Sequence, residues 1–415
     1  MNKKLLTIAA LAATAGTAHA QSSVTLYGVI DAGISYVNHS KTANGGTGKL
    51  FKYDDGVAQG SRWGLRGTED LGGGLKAIFV LENGFNSGNG TIGQGGAIFG
   101  RQAYVGLSQS QYGTVTFGRQ YSFSTDILGS NYSTGGNTVA GNYAYHVNNI
   151  DQLTSSRINN AVKFQSANYS GFTFGALYGF SNSTDFAGAP ATTTGTTTTA
   201  GSSRAYSFGL NYANGPISVG AAYTDIRYPS QSTPGFSTTI ANLSTGNVRD
   251  LRTYGVGGRY VWGPATAWLL RTRTQFSTVS GAGGTFYNAY EAGAKYAFTP
   301  ALSGGLGYTY TNATQNGNSW HWNQVNGIAD YALSKRTGRV RPGRVPAGFG
   351  QGRASADRFE HELLQYVGHG FEEPDRRTYR YPPQVLKHPL NCPRHARITT
   401  ARSAPLHAGR FFIGF

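Results

Sequence analysis

From Val24 to about Tyr331, apolar and polar side chains alternate in segments of roughly ten residues, each closed by Gly, Asn, Asp or Pro. A period of two puts one chemical type on each face of a β-strand. In the first segment Val24, Leu26, Gly28 and Ile30 share one face, while Thr25, Tyr27 and Asp31 share the other. About fourteen such strands, with almost no helical stretch between them, point to an all-β fold: a large antiparallel sheet whose edges disappear if it closes into a barrel.

What surrounds that barrel follows from the first residues. Lys3 and Lys4 form a positive n-region, Leu5 to Ala13 an apolar run, and Ala18-His19-Ala20 a small-x-small cleavage site. Residues 1–20 therefore read as a secretory signal, with the mature chain starting at Gln21. The apolar run is far shorter than the ~20 residues of a spanning helix, and no later stretch is long and apolar enough to be one. An exported chain of this kind can sit in a membrane only as a closed barrel, because lipid offers no partner to unpaired backbone groups. The composition agrees. Its 26 Tyr and 22 Phe suit aromatic girdles at two interfaces, and its 60 Gly suit tight turns and a crowded inner wall. The expectation is a transmembrane antiparallel β-barrel in the Gram-negative outer membrane. Cys392 is the single cysteine, so neither a disulfide framework nor a thiol nucleophile is expected. No His/Cys/Asp cluster has metal-ligand spacing, and no cofactor is expected.

Alternation also assigns side chains to the lumen. If Trp63 and Leu65 face lipid, then Arg62, Gly64 and Arg66 face inward. If Leu75, Ala77, Phe79 and Leu81 face lipid, then Lys76 and Glu82 face inward. Arg157 and Lys163 are inward if Ile158, Val162 and Phe164 take the other face. Arg101 shares parity with Ala103, Val105 and Leu107, which aims it outward, but it lies at a strand start, where phase can change. Arg119 closes another strand. Short turns alternate with longer polar loops, among them Lys41 to Gln59 and the Thr-rich tip Ala191 to Ala200. One connection stands apart. From Tyr121 to Ser156 about 35 residues separate two strands, a length that is uncommon and usually functional. Folded inward, it would narrow the lumen.

The stretch Ser61 to Ala77 resembles the Gram-negative general porins, particularly their betaproteobacterial branch. So do Gln21 to Gly28, Arg101 to Leu107, Phe117 to Gln120, Arg157 to Val162 and Asp330 to Thr337. The resemblance covers residues 1–337 with its motifs in order. It implies a 16-stranded homotrimer with the third external loop folded into each channel, and a passive route for small hydrophilic solutes and ions. It also implies a constriction with basic residues, here Arg62, Arg101 and Arg157, facing acidic ones, here Glu82 on the wall and Asp126 on the loop. Arg66, Lys76, Arg119 and Lys163 would be secondary lumen-facing residues. An excess of arginines over acids in a narrow passage would favour anions. The expected partners are outer-membrane lipid and lipopolysaccharide, two further copies of the chain, and small hydrophilic solutes and anions. Nucleic acid is not among them.

After Thr337 the alternation stops. Residues 338–415 hold 13 of the 35 Lys+Arg, 6 of the 19 Asp+Glu, 8 of the 14 Pro and 5 of the 9 His, so much of the formal net charge of +16 lies here. The division expected is a signal at 1–20, an incomplete barrel at 21–337 and a poorly ordered, non-barrel tail at 338–415. Codons for Gly338 to Phe349, read one base out of frame, also spell Asp-Val-Tyr-Val-Gln-Gly-Val-Tyr-Gln-Arg-Val, a strand of the family's type. A frameshift after Thr337 is the expectation, and the alternating Phe411, Ile413 and Phe415 then read as coincidence. Two other functions compete with a channel. A lipase-like barrel enzyme needs a nucleophile with a base, and His39, His146 and His321 all read as loop residues without a Ser-His-acid arrangement. A secreted β-rich adhesin would not need fourteen strands with lipid-facing aromatics.

Overall fold

The computed structural model describes residues 23–348, apart from 43, 57, 155, 185, 191, 195–196, 200–201, 229–247, 279–283, 316 and 334–336, together with residues 410–414. The signal segment 1–20 and residues 349–409 lie outside the described residues. In chain order the strands are β1 (Ser23–Lys41), β2 (Thr47–Asp55), β3 (Arg62–Gly72), β4 (Leu75–Gly84), β5 (Gln102–Gln109), β6 (Gly113–Tyr121), β7 (Arg157–Ser166), β8 (Phe172–Gly179), β9 (Thr192–Thr194) and β10 (Thr197–Thr199). They continue with β11 (Arg204–Asn214), β12 (Ile217–Arg227), β13 (Val248–Trp262), β14 (Ala265–Thr278), β15 (Gly284–Ala297), β16 (Leu302–Gln315), β17 (Asn318–Ala332), β18 (Thr337–Gly348) and β19 (Arg410–Gly414).

Seventeen of these strands form one antiparallel sheet, with β9 and β10 a separate hairpin. The ladder runs from each strand to the next in the chain, β8 pairing with β11 across the excursion that carries the small hairpin. β3 lies along Ser23–Val29 of β1, and β2 along Ala32–Lys41. β2 and β3 are thus one stave broken between Asp55 and Arg62, and the sheet has sixteen staves. It closes on itself, because β19 pairs with β18 (Thr337 opposite Ile413) and with β1 (Ala32 opposite Phe411).

Fourteen staves lie before residue 337, the number the alternation predicts. Two more follow it. Residues 338–348 pair with β17 from Ala332 to Trp322, and residues 410–414 pair with β18 and β1. Sheet pairing uses backbone N–H and C=O groups, which nearly every residue carries whatever its side chain. An open β17 edge in lipid would leave a row of such groups unpaired, at several kcal/mol each. Pro342 and Pro346 fall past Val340, where β18 has only β17 as a described neighbour. That is where a residue without an N–H is tolerated. The Lys41 to Gln59 segment is likewise not an open loop: β1 and β2 extend it as a hairpin arm.

The two faces separate as the sequence pattern requires. Val24 and Leu26 are each 66% exposed on the outside, whereas Asp31 is fully buried on the inside. Trp63, Val105, Phe208, Val256, Leu269 and Leu306 lie exposed on the outer wall. Phe79 rests there over Gly67, where any Cβ would strike its ring.

The long third connection lies inside the barrel. After a π-helical segment (Ser124–Tyr132) and two 3-10 turns (Gly141–Ala144 and Val147–Asn149), its bonds reach staves all round the ring. The Phe123 amide donates to Ser207 Oγ on β11 (3.0 Å), and Ser124 and Thr224 on β12 share a hydrogen bond of 2.7 Å. Trp268 Nε1 on β14 donates to Thr134 Oγ1 at 3.1 Å, and Gln324 Nε2 on β17 to the Tyr143 carbonyl at 3.0 Å. Tyr143 also bonds Ser35 and Asp54 on β1 and β2. No external flap could touch all of these. Phe123, Ile127, Leu128 and Tyr132 form a buried cluster with Ile158, Leu177, Ala222 and Leu270 of the wall. Small wall residues make room for it: a Cβ on Gly209 would meet Ile127 and Phe123, and one on Gly257 would meet Tyr132. Loop and wall thus share a packed apolar seam inside the barrel.

Candidate functional site

The charged side is built on β3 to β7. The chain enters or leaves these at one level, on the side away from the tight Gly72–Gly74 turn, and that level collects the cations. Gly64 opposes Glu82 across the β3–β4 pair and Tyr27 opposes Gly64 across β1–β3, so the three share the inner face. Glu82 is 5% exposed. Arg101 Nε lies 2.7 Å from its Oε1 and Arg62 Nε 3.8 Å from its Oε2, while the Tyr27 hydroxyl donates to Oε2 at 3.0 Å. Arg62 is braced from behind, donating to the Gly60 carbonyl (3.0 Å) and Gln59 Oε1 (2.9 Å). That segment is pinned in turn by the Ala58 and Gln59 amides, which donate to Asp31 Oδ2 at 2.6 and 2.8 Å. The break between β2 and β3 is thus the mount of Arg62.

Arg101 faces inward, against the parity of Ala103, Val105 and Leu107. It precedes β5, which begins at Gln102, so the strand period does not reach it. Arg119 and Arg157 stand at the tops of β6 and β7. Arg119 Nε donates to the Gly100 carbonyl at 2.8 Å, and its Nη1 bonds Asn159 Oδ1. Arg157 is buried, with its guanidinium 4.9 Å from the Tyr121 ring centroid and Nη2 donating to the Tyr121 hydroxyl at 3.0 Å. The phase given for β7 needs correction here. A bulge between Gly118 and Gln120, with Asn160 at a φ of 51°, shifts the register. Ile158 consequently turns inward and joins the buried cluster instead of facing lipid with Val162.

Asp126, Lys163, Lys76 and Arg66 lie apart from the collar. Asp126 does not meet the arginines; its ion-pair partner is Lys163, whose Nζ also donates to the Tyr121 carbonyl at 3.0 Å and lies 4.5 Å from the Phe123 ring centroid. Lys163 and Asp126 are thus the root of the loop. Lys76 sits one residue from the tight turn, opposite Asp70, well below the collar. Arg66 is exposed on the inner face with its guanidinium 5.5 Å from the Tyr27 ring centroid. His39 and His321 lie on β1 and β17 and not in loops.

One buried cluster was not foreseen. His146 lies between two carboxylates, with Nδ1 2.5 Å from Asp151 Oδ2 and Nε2 2.5 Å from Glu291 Oε2. Burial disfavours its charge, but Asp151 and Glu291 outweigh this and raise its pKa from 6.5 to about 10. Glu291 also accepts from the Thr134 amide and from Thr134 Oγ1 (2.7 Å), and Thr272 Oγ1 donates to Asp151 Oδ2 at 2.7 Å. This clasp ties the loop to β14 and β15. Its one signal in the sequence is Glu291, an acid in phase with inward Tyr287 and Ala289. Asp126 and Asp151, the two acids of the loop, are therefore both engaged by groups other than the arginines. Among the described residues, Glu82 is the acid ion-paired within the collar of Arg62, Arg101, Arg119 and Arg157.

A family model described as Gram-negative porin matches residues 7–338. The chain belongs to that family. A porin of this family is an outer-membrane protein, and here the membrane is crossed by strands. An outer membrane porin protein of Bordetella pertussis is 38% identical over 293 residues, covering 68% of this chain and 72% of the relative. Outer membrane porin protein 32 of Delftia acidovorans is 33% identical over 312 residues, covering 74% and 78%. Among solved structures, an anion-selective porin from Comamonas acidovorans superposes with a TM-score of 0.60 at 22% identity, covering 95% of this chain and 98% of that one. OmpT of Vibrio cholerae, in its trimer form, gives 0.57 at 15% identity, covering 95% and 98%. At such identities the likeness is one of fold, and the fold is the porin barrel.

Proposed function

We propose that this porin is a passive, anion-preferring conduit for small hydrophilic solutes, with its constriction at the arginine collar. The observation that carries the reading is the imbalance at one level of the wall: four guanidiniums and, among the described residues, one carboxylate ion-paired with them, beside a loop folded into the lumen. Fixed cations between low-dielectric walls hold a positive potential of several kT, which concentrates anions and repels cations. Arg62, Arg101, Arg119, Arg157 and Glu82 would line the narrowest part. Arg66 would sit below it, and Asp126 and Lys163 would hold the loop in place. The anion-selective porin of Comamonas acidovorans supports the same preference.

No catalytic role is proposed. His146, the histidine nearest the collar's loop, has both ring nitrogens committed to carboxylates and none facing a hydroxyl nucleophile. Assembly as a homotrimer, with lipid and lipopolysaccharide around it, is part of the proposal. The Vibrio cholerae neighbour in trimer form supports it. The test of function is the zero-current potential of the purified protein in a planar bilayer under a KCl gradient. Its sign is expected to be that of chloride permeation; a potassium sign overturns the reading.

The chain after Thr337 carries a separate proposal. The family match stops at residue 338, the point where alternation stops. A one-base shift in the gene accounts for both. The nucleotide sequence decides: a frame restored by one deletion must continue the family's strand pattern, and a gene without such a frame removes the idea.

A further inference from the structure

At the ends of β12 and β13, three arginines come with an acid. Arg227 Nε lies 3.2 Å from Asp250 Oδ1, Arg249 Nε 2.7 Å from Asp250 Oδ2, and Arg252 Nε 3.3 Å from Asp225 Oδ2. Arg271 and Arg273 on β14 are different. Thr272 between them points inward, since its hydroxyl bonds Asp151 of the loop, and Leu270 is buried in the inner seam. Arg271 and Arg273 therefore follow Leu269, which is 66% exposed, on the lipid face. Neither has an ion pair among the described residues. Each lies against a ring: Arg271 at 5.6 Å from the Tyr290 centroid, Arg273 at 4.8 Å from that of Phe286. Arg273 Nε is buried without a hydrogen-bond partner.

Their height is set by their neighbours. The rings of Tyr206, Tyr223 and Tyr254 stack in a row along the outer wall, with centroids 5.9 and 6.3 Å apart, and Arg273 opposes Tyr254 while Arg271 opposes Tyr290. A row of tyrosines on the lipid face marks the headgroup level. β14 rises from the tight turn between Trp262 and Ala265, so this girdle belongs to the end that carries the long connections, the external one. A groove opens beside the two arginines, lined by Phe208, Leu210, Ala221, Tyr223, Tyr254 and Val256. It is apolar along its length and cationic at one corner.

We propose that Arg271 and Arg273, with this groove, form a binding site for a phosphorylated glycolipid of the outer leaflet, its acyl chain along the groove and its phosphate between the guanidiniums. Residues i and i+2 of a strand lie ~7 Å apart on one face, a spacing that two arginines can close around one phosphate. An acidic protein surface would answer the charge but not the acyl-width groove, and a second copy of this face would bring cations against cations. An arginine facing lipid is costly unless it lies at headgroup level or meets an anion, and this site supplies both conditions. The inference rests on the membrane reading of the barrel.

The experiment titrates the full-length trimer or monomer, as purified in detergent, with diphosphorylated lipid A and with its dephosphorylated form, using native mass spectrometry. The wild type is expected to bind the phosphorylated lipid at least tenfold tighter than the dephosphorylated one. The R271Q/R273Q variant is expected to lose that preference and to keep its conductance and heat-modifiable gel mobility. Equal binding of the two lipids by the wild type overturns the site, as does undiminished binding by the variant. Loss of oligomer without change in lipid binding would assign the arginines to a subunit contact and would also overturn it. Failure of the wild type to form channels at all would instead sink the function proposed above, and is read independently of lipid binding.

Discussion

The R62Q/R101Q double variant is expected to lose most of the anion preference, and the neighbouring E82Q variant to strengthen it. Both changes act on one contact. Arg101 and Arg62 flank Glu82 at 2.7 and 3.8 Å, so the pair of substitutions removes two positive charges beside a carboxylate that stays, and the single one removes the carboxylate. A unit charge acts on an ion passing ~6 Å away with about 1 kcal/mol at an effective dielectric near 50. The sign is opposite for anions and cations, so each charge shifts the anion-to-cation permeability ratio by roughly tenfold or more at low salt. Molar salt should erase most of this. The double variant leaves Glu82 nearly buried with only the Tyr27 hydroxyl, which costs stability whatever happens to selectivity. E82Q is therefore the decisive partner. Misfolding would move both variants toward leak and poor selectivity, whereas the collar requires shifts of opposite sign. The measurement is the zero-current potential of each variant at two salt concentrations, and shifts in the same direction would remove the collar from the selectivity filter.

What the sequence shows about this site is limited by distance along the chain. Alternation is a local signal, and it places Arg62, Glu82, Trp63, Leu65 and Phe79 on their observed faces. It fails where the local rule is suspended. Ile158 lies beyond a bulge that costs the strand one step of phase, and Arg101 stands before its strand begins. The inward fold of the loop could be expected from its length alone, but its anchors could not. His146 and Glu291 are 145 residues apart, and Asp126 meets Lys163 because the loop's first turn doubles back on its own root. The closing staves were hidden for a different reason: β18 carries no alternation, and its place in the sheet rests on backbone pairing with β17, which leaves no trace in side-chain order.

Cutting the clasp on the far wall is expected to free the loop and change the channel's gating while leaving the barrel intact. In E291Q the carboxylate that receives the Thr134 amide, the Thr134 hydroxyl and His146 Nε2 becomes neutral, and the buried imidazolium keeps Asp151 alone. Breaking one side of a buried pair typically costs about 3–5 kcal/mol, so the docked fraction of the loop should fall by a hundredfold or more relative to the released form. The substitution leaves the ladder pairing of β14, β15 and β16 untouched, and the folded barrel in detergent should persist. Single-channel records are expected to show larger and noisier conductance, with rapid transitions absent from the wild type. The wild type should reach the same behaviour at high pH. The docked state holds the His146 proton with a pKa raised to about 10, above the ordinary 6.5, so its stabilisation is whole below about 6.5 and is lost as the pH rises through 10. Tyrosines and lysines titrate in that range too, and H146Q separates them: it should be noisy already at neutral pH and show no further step. Quiet, wild-type conductance from E291Q would mean that the apolar seam of Phe123, Ile127, Leu128 and Tyr132 holds the loop by itself, and the clasp would then have no part in gating.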